Sequence, residues 1–237
     1  MEIKKIKSLF RRLFKANKVK TEISESEYYE NLFVKNEKWN NPNPNEDESK
    51  RWNVIEGFIS KYVDGKSEIQ ILDLGCGRGW LTNLLSKFGS VQGIEPVEPV
   101  VAYAKKLFPS IHFQVGYSTD LINQGLSNHF DLIVSSEVFE HVPDDQKSTF
   151  VSTIFELLKN GGHVIITTPR QEAQEEWLKY FAAGQPVEDW ITEEKLLNIF
   201  SSNGFSKVEL ERVASKPKVN ANEIDIYQVW IFKKGEK

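Results

Sequence analysis

Cysteine is almost absent from this chain: Cys76 is the single one in 237 residues, so an internal disulfide is impossible and a disulfide-stapled fold is excluded. Long apolar runs are absent as well. Runs such as Val164-Ile165-Ile166 fall far short of the roughly 20 residues of a spanning helix, so no segment is expected to cross a bilayer. The N-terminus has none of the continuous apolar stretch, about 7 to 15 residues, of a secretory signal. From these absences we expect a reducing, cytoplasmic location. What is present is balanced: 40% hydrophobic, 12% aromatic and 27% charged residues supply a full core and exclude a disordered or fibrous chain.

Basic charge is scarce outside the first 20 residues. Those 20 hold eight Lys/Arg against one acid, a charge of +7, whereas residues 21–237 carry 22 basic and 33 acidic groups, a charge of -11. A body that acidic lacks the broad basic face by which nucleic acid is held, and no nucleic-acid partner is expected. At 100° per residue, Ile3, Ile6, Leu9, Phe10, Leu13 and Phe14 share one arc of a helix over residues 1–20, and Lys4, Lys5, Lys7, Arg11, Arg12, Lys15 and Lys18 fill the other. A basic amphipathic helix of this kind lies in an anionic membrane surface, docks on a protein, or serves as a solubilising tail.

Residues 21–50 are polar and end in WNNPNPNEDESK, whose prolines and asparagines propagate neither a helix nor a central strand; they are read as a linker or lid. From Arg51 the pattern is regular: a helix (RWNVIEGFISKYV), the strand IQILDL, a glycine loop and a second helix (WLTNLLSKF). Further strands are predicted at SVQGIE, IHFQVG, FDLIVSS, GHVIITT, FSKVEL and IYQVWIF, with helices near 97–108, 144–159, 172–182 and 192–203. Continuous apolar strands separated by helices predict an α/β fold, a doubly wound, mostly parallel seven-stranded sheet with helices on both faces, spanning residues 51–237 as one domain.

The loop ILDLGCGRGWLT carries the chemistry. A buried strand ends at Asp73, and Gly75, Gly77 and Gly79 lead into a helix N-terminus, where a ligand can approach the backbone closely. A dinucleotide site needs a small residue at the last position of Gly-x-Gly-x-x-Gly, and counting from Gly75 that position is Trp80. No Gly-Lys-Ser/Thr follows, which excludes a Walker A loop. Asp73 places a carboxylate where a cationic amino group is welcome. Twenty residues beyond Gly75, Glu95 ends the next strand and can accept from both hydroxyls of a ribose. An adenosine carrying an amino acid is implied.

With LDLGCGRG, GIEP, FDLIVSSEVFEHVPD and LLKNGGHVIITTP following in that order, the chain from about Arg51 to Phe232 resembles the class I S-adenosylmethionine-dependent methyltransferases, with their Rossmann-like fold. The segments RWNVIEGFI, ILDLGCGRGWLT and SSEVFEHVPD are most similar to the O-methyltransferases of ubiquinone biosynthesis. The resemblance implies that Asp73, Gly75, Cys76 and Gly77 hold the methionyl part of the cofactor, Glu95 and Pro96 its ribose side, and Arg51 its carboxylate, with Ser136 at the end of the fourth strand. The adenine contact falls on Tyr117 and Ser118, where the family usually carries an acid; Asp120 is a possible substitute.

Glu137, Glu140 and His141 form E-x-x-E-H directly after the fourth strand. The resemblance leaves three uses open: ligation of a divalent metal by all three, a metal-free base or substrate orienter at His141 and Glu140, or a purely structural role. Trp177, Tyr180, Phe181 and Trp190 concentrate where this fold builds its acceptor pocket, and Tyr28, Tyr29, Trp39 and Trp52 could close its other side, unless these aromatics only pack on the core. The expected activity is O-methylation of a hydroxylated aromatic, quinone-like or sugar acceptor. N-methylation of an amine, or a non-catalytic cofactor-binding scaffold working through residues 1–20, are the alternatives.

Overall fold

A computed structural model describes residues 24–63, 68–180, 188–218 and 220–235. The basic helix read over residues 1–20, and Phe181, lie outside them.

The apolar runs pair into one seven-stranded sheet: β1 Ile69–Leu74, β2 Gly89–Glu95, β3 His112–Val115, β4 Phe130–Ser136, β5 Leu158–Pro169, β6 Phe205–Ser215 and β7 Ile224–Lys234. Their spatial order is β3-β2-β1-β4-β5-β7-β6. Strands β1 to β5 run parallel to one another, and β7 is antiparallel to both β5 and β6. The helices are α1 Glu25–Glu30, which continues as a π turn over Asn31–Lys35, then α2 Glu46–Tyr62, α3 Trp80–Leu85, α4 Glu98–Leu107, α5 Ser118–Asn123, α6 Lys147–Leu157, α7 Gln171–Trp177 and α8 Glu193–Ser202.

Alternation along each strand explains why the runs read as continuously apolar. Val164 and Ile166 of β5 and Trp230 and Phe232 of β7 enter one core layer, under α6 and α8. Ile165, Val229 and Ile231, the residues between and beside them, enter the other, under α2 and α3. With both faces covered, a strand has no position at which a polar residue is cheap. The chain winds outward from β1 to β3 and then returns to β4 on the other side of β1, so the order reverses between β1 and β4. Loops diverge at such a point and leave a crevice beyond the carboxyl ends of the strands.

Helix α2 begins at Glu46, five residues before the position expected from the apolar pattern. Asn45 caps it: its side chain accepts from the Glu48 amide at 2.9 Å, and the Glu48 carboxylate accepts from the Asn45 amide at 2.7 Å. Three acids in the first turn, Glu46, Asp47 and Glu48, complement the positive end of the helix, so the stretch that looks like a charged linker is a helix start. Trp52, expected in the lid, is 7% exposed and packs in the core layer with Ile55 and Leu81.

Candidate active site

The crevice at the β1/β4 switch is a cavity of about 520 Å³, within the size range of small-molecule sites. Eight of the ten residues expected to bind the cofactor line it: Arg51, Asp73, Gly75, Cys76, Gly77, Glu95, Pro96 and Ser136. Glu137, Glu140 and His141 line it as well.

The glycine loop closes tightly on this cavity. Gly75 has a φ of +79°, a left-handed backbone that suits glycine, and a Cβ there would collide with Val138 of the loop after β4. At Gly77, with a φ of +49°, a Cβ would stand 3.6 Å from the Phe33 ring, so the π turn after α1 lies over the loop. Asp73, 1% exposed, accepts from the Thr82 hydroxyl at 2.6 Å. Burial pushes its carboxyl up to about 7, against the lowering effect of the Thr82 hydrogen bonds. Glu95 is held by backbone amides, accepting from Gly77 at 3.2 Å and from Val97 at 3.2 Å.

Arg51 enters from α2 and stacks on the Tyr227 ring, with its guanidinium carbon 4.3 Å from the ring centroid. Its Nε is buried without a hydrogen-bond partner among the described residues, and the nearest carboxylate, Glu137 Oε1, stands 3.8 Å away. Burial opposes the charge, yet Glu137, Tyr227, Glu48 and Asp47 together hold its pKa above the ordinary arginine value. A buried guanidinium with an unpaired N–H is poised for an incoming carboxylate.

Glu137 has a φ of +57°, an uncommon conformation for a side-chain-bearing residue, fixed by its amide to the Thr167 carbonyl at 2.9 Å and its carboxylate to the Thr167 hydroxyl at 2.8 Å. Ser136 shares that Thr167 hydroxyl at 2.8 Å. Glu140, 2% exposed, accepts from Thr168 at 3.0 Å, and its other oxygen stands 3.6 Å from His141 Nε2. Burial pushes both Glu137 and Glu140 up to about 7. The His141 ring meets the edge of Tyr29 at 5.9 Å.

The expected metal ligands do not come together. Among the described residues no three His, Cys, Asp or Glu side chains are placed to hold a metal ion, because Glu137 is turned to Thr167 and Arg51 while Glu140 is turned to Thr168. We therefore assign no step to a metal. The adenine expectation also needs correction. Tyr117 is 65% exposed, and the Ser118 hydroxyl is buried 2.9 Å from that of Thr153. The Asp120 carboxylate accepts from the Tyr117 amide at 2.8 Å, capping α5 rather than facing the cavity, and none of the three lines it.

Of the aromatic residues expected around an acceptor, Tyr28, Tyr29, Trp39, Trp177 and Trp190 line the cavity; Tyr180 does not, being exposed and stacked under Lys218. Tyr227, Phe33 and Glu188 line it without having been anticipated. So does Arg78, buried inside the glycine loop. It donates both Nη groups to Glu48 at 2.7 Å, and it donates to the Asn41 and Asn43 carbonyls at 2.6 and 3.3 Å. This single side chain fastens the segment before α2 to the loop. Its signal in the sequence was an arginine among the glycines, which gave no hint of the partner 30 residues away.

Comparison with known proteins bears on this site. Residues 46–210 match a family model described as a methyltransferase domain. The mitochondrial ubiquinone biosynthesis O-methyltransferase of Bos taurus is 34% identical over 167 residues, 62% of this chain and 45% of that protein. The ubiquinone biosynthesis O-methyltransferase of Idiomarina loihiensis is 28% identical over 139 residues, 57% of this chain and 56% of its own. The chain thus spans about half the length of these curated relatives. A solved structure of Burkholderia thailandensis 1,6-didemethyltoxoflavin-N1-methyltransferase, with its substrate and S-adenosylhomocysteine bound, superposes with a TM-score of 0.64 at 19% identity, covering 90% of this chain and 87% of that one; it shares the fold.

Proposed function

The chain belongs to the methyltransferase family that residues 46–210 match, and from that premise we propose that it transfers the S-methyl group of S-adenosylmethionine to a hydroxyl oxygen of a small aromatic or quinone-like acceptor. The observation that carries this reading is one cavity lined by two sets of groups. Asp73, Glu95 and the unpaired Arg51 Nε form one, and Glu140, His141 and the aromatic rings form the other.

The chemistry of the first group fits the cofactor. Arg51 would bind its carboxylate, Asp73 its ammonium and Glu95 its ribose hydroxyls. When bound, the cofactor supplies a methyl group already activated by the positive sulfur. The chain's own residues then have three tasks. The aromatic walls align the acceptor oxygen and exclude water. The His141 imidazole would take the hydroxyl proton as the methyl group passes to the oxygen, the electron pair of the broken carbon–sulfur bond staying on sulfur. Glu140, 3.6 Å from the imidazole, orients it and balances the charge it gains.

The test is S-adenosylhomocysteine calorimetry with a methyl-transfer assay on catechols, hydroxylated quinones and sugars, the product identified as a methyl ether by mass spectrometry. One ligand per chain, a melting temperature that rises with its concentration, and an O-methyl product are the expected results. A chain that does not bind S-adenosylhomocysteine overturns the reading.

Acidity provides a second check. Because the Asp73 carboxyl sits near 7 and an incoming ammonium favours its ionised form, S-adenosylhomocysteine affinity should fall about tenfold from pH 8 to pH 6 and level off above pH 8. In the unliganded chain the sign reverses. The folded state keeps this proton to a higher pH than the unfolded one, so the stability contribution of Asp73 declines as pH rises from about 4 to 7. Asp73→Asn should bind weakly with a flat profile between pH 6 and 8; a flat profile in the wild type counts against the assignment.

Residues 1–20 add a proposed peripheral membrane contact, with the apolar arc inserted and the lysines toward anionic headgroups. The chain should sediment with phosphatidylserine vesicles at low salt and less at high salt, and a variant lacking residues 1–20 should stay in solution; equal sedimentation of the two overturns the contact.

A further inference from the structure

The cavity groups left for an acceptor are acids and an imidazole. Among the described residues two guanidiniums line the cavity, and neither is available to an acceptor. Arg78 is consumed by Glu48 and two carbonyls, and Arg51 faces Glu137 and the proposed cofactor carboxylate. What remains beside the aromatic rings is Glu140, His141 and Glu188.

Glu188 is not a loose surface acid. Its carboxylate accepts from Trp190 Nε1 at 3.1 Å, and the backbone of the next residue is held at both its amide and its carbonyl. The Asp189 amide donates to the Glu140 carbonyl at 2.8 Å, and the Asp189 carbonyl accepts from Lys147 Nζ at 3.0 Å. Lys147 is itself fully buried, tied to Asp144 at 2.8 Å and set over the Phe139 ring. The half-buried Tyr28 phenol, which lines the same cavity, is held above its ordinary pKa by burial and by the Glu188 charge.

Resting on the methyl-transfer reading above, we propose that Glu188 sets acceptor specificity, restricting the site to hydroxy-aromatics that carry no carboxylate or other anionic substituent. A carboxylate on the ring would enter beside Glu188 and Glu140 where, once Arg51 is engaged by the cofactor carboxylate, no arginine or lysine among the described lining residues is left to meet it, and like-charge juxtaposition in a partly desolvated site is strongly unfavourable. A neutral ring, or one bearing an ammonium, meets aromatic faces and acids instead.

The experiment measures binding of three matched catechols to the full chain saturated with S-adenosylhomocysteine: 4-methylcatechol (neutral), dopamine (cationic) and 3,4-dihydroxybenzoate (anionic). The neutral and cationic compounds should bind at least about tenfold more tightly than the benzoate. Glu188→Gln, whose amide oxygen can still accept from Trp190, should shrink that ratio to about threefold or less, chiefly by admitting the benzoate. Benzoate affinity within twofold of 4-methylcatechol, a ratio unchanged in Glu188→Gln, or no binding by any of the three would each overturn the proposal. Because it is read from binding, bound catechols that are never methylated count against O-methyl transfer while the charge preference stands.

Discussion

Replacing Arg78 with methionine should cost about 3–5 kcal/mol of folding stability, because it leaves the Glu48 carboxylate buried without a counter-charge. The two side chains are 2% and 4% exposed, and their bidentate pair, both contacts at 2.7 Å, joins the glycine loop to the first turn of α2. The same guanidinium holds the carbonyls of Asn41 and Asn43, so the substitution also frees the segment before α2, which should weaken S-adenosylhomocysteine binding. In a domain of this size the loss amounts to a fall of about 10 °C in melting temperature. Arg78→Lys should recover little of it, since an ammonium cannot reproduce the fork. The double variant Arg78→Met/Glu48→Met should be more stable than Arg78→Met alone, because the orphaned charge is gone. Urea unfolding of the three variants checks this, and a loss below about 1 kcal/mol in Arg78→Met would show that the pair is dispensable.

The second large effect is on turnover. His141→Ala should lower kcat by a factor of about 10² to 10⁴, the range supplied by a positioned base, and should change S-adenosylhomocysteine affinity little. Glu140→Gln should lose less, because it leaves the imidazole in place and removes only the carboxylate beside it. The split between kcat and cofactor affinity is the diagnostic. If His141→Ala weakens cofactor binding as much as it slows turnover, the side chain organises the cavity, through its edge contact with Tyr29, and takes no proton.

Much of this architecture was legible in the sequence, and the parts that were not share a cause. The run IQILDL, the glycines and Glu95 announce themselves because each answers to a local rule: burial on both faces, a positive φ, a carboxylate at a strand end. The failures came where a residue had two local uses. Asp120 might face a ligand or cap its own helix, and the cap, three residues away in sequence, prevailed. Glu46, Asp47 and Glu48 looked like solvated charge, yet Asn45 turned them into a helix start, and one of them found Arg78 across the fold. Glu137 and Glu140 have the spacing of metal ligands, but each carboxylate accepts from a different hydroxyl of the neighbouring strand, Thr167 and Thr168, and no sequence spacing reveals a partner strand's hydroxyls. Trp52 and Trp39 are equally aromatic on paper; the first packs under the sheet and the second lines the cavity because only Trp52 sits on the buried face of α2.

Among the described residues strand β7 comes last in chain order and yet lies inside the sheet, hydrogen-bonded to β5 on one side and β6 on the other. On the ribosome this imposes a schedule. While β1 to β6 are already made, β5 presents an unsatisfied edge next to the strands that carry the cavity, and β6 has nothing to pair with. Val164, Ile165 and Ile166 wait beside an empty slot until Trp230, Ile231 and Phe232 arrive to fill it. An exposed apolar edge of that length is a template for pairing with another nascent chain. The vulnerable interval in the life of this protein therefore falls between completion of β5 and delivery of β7.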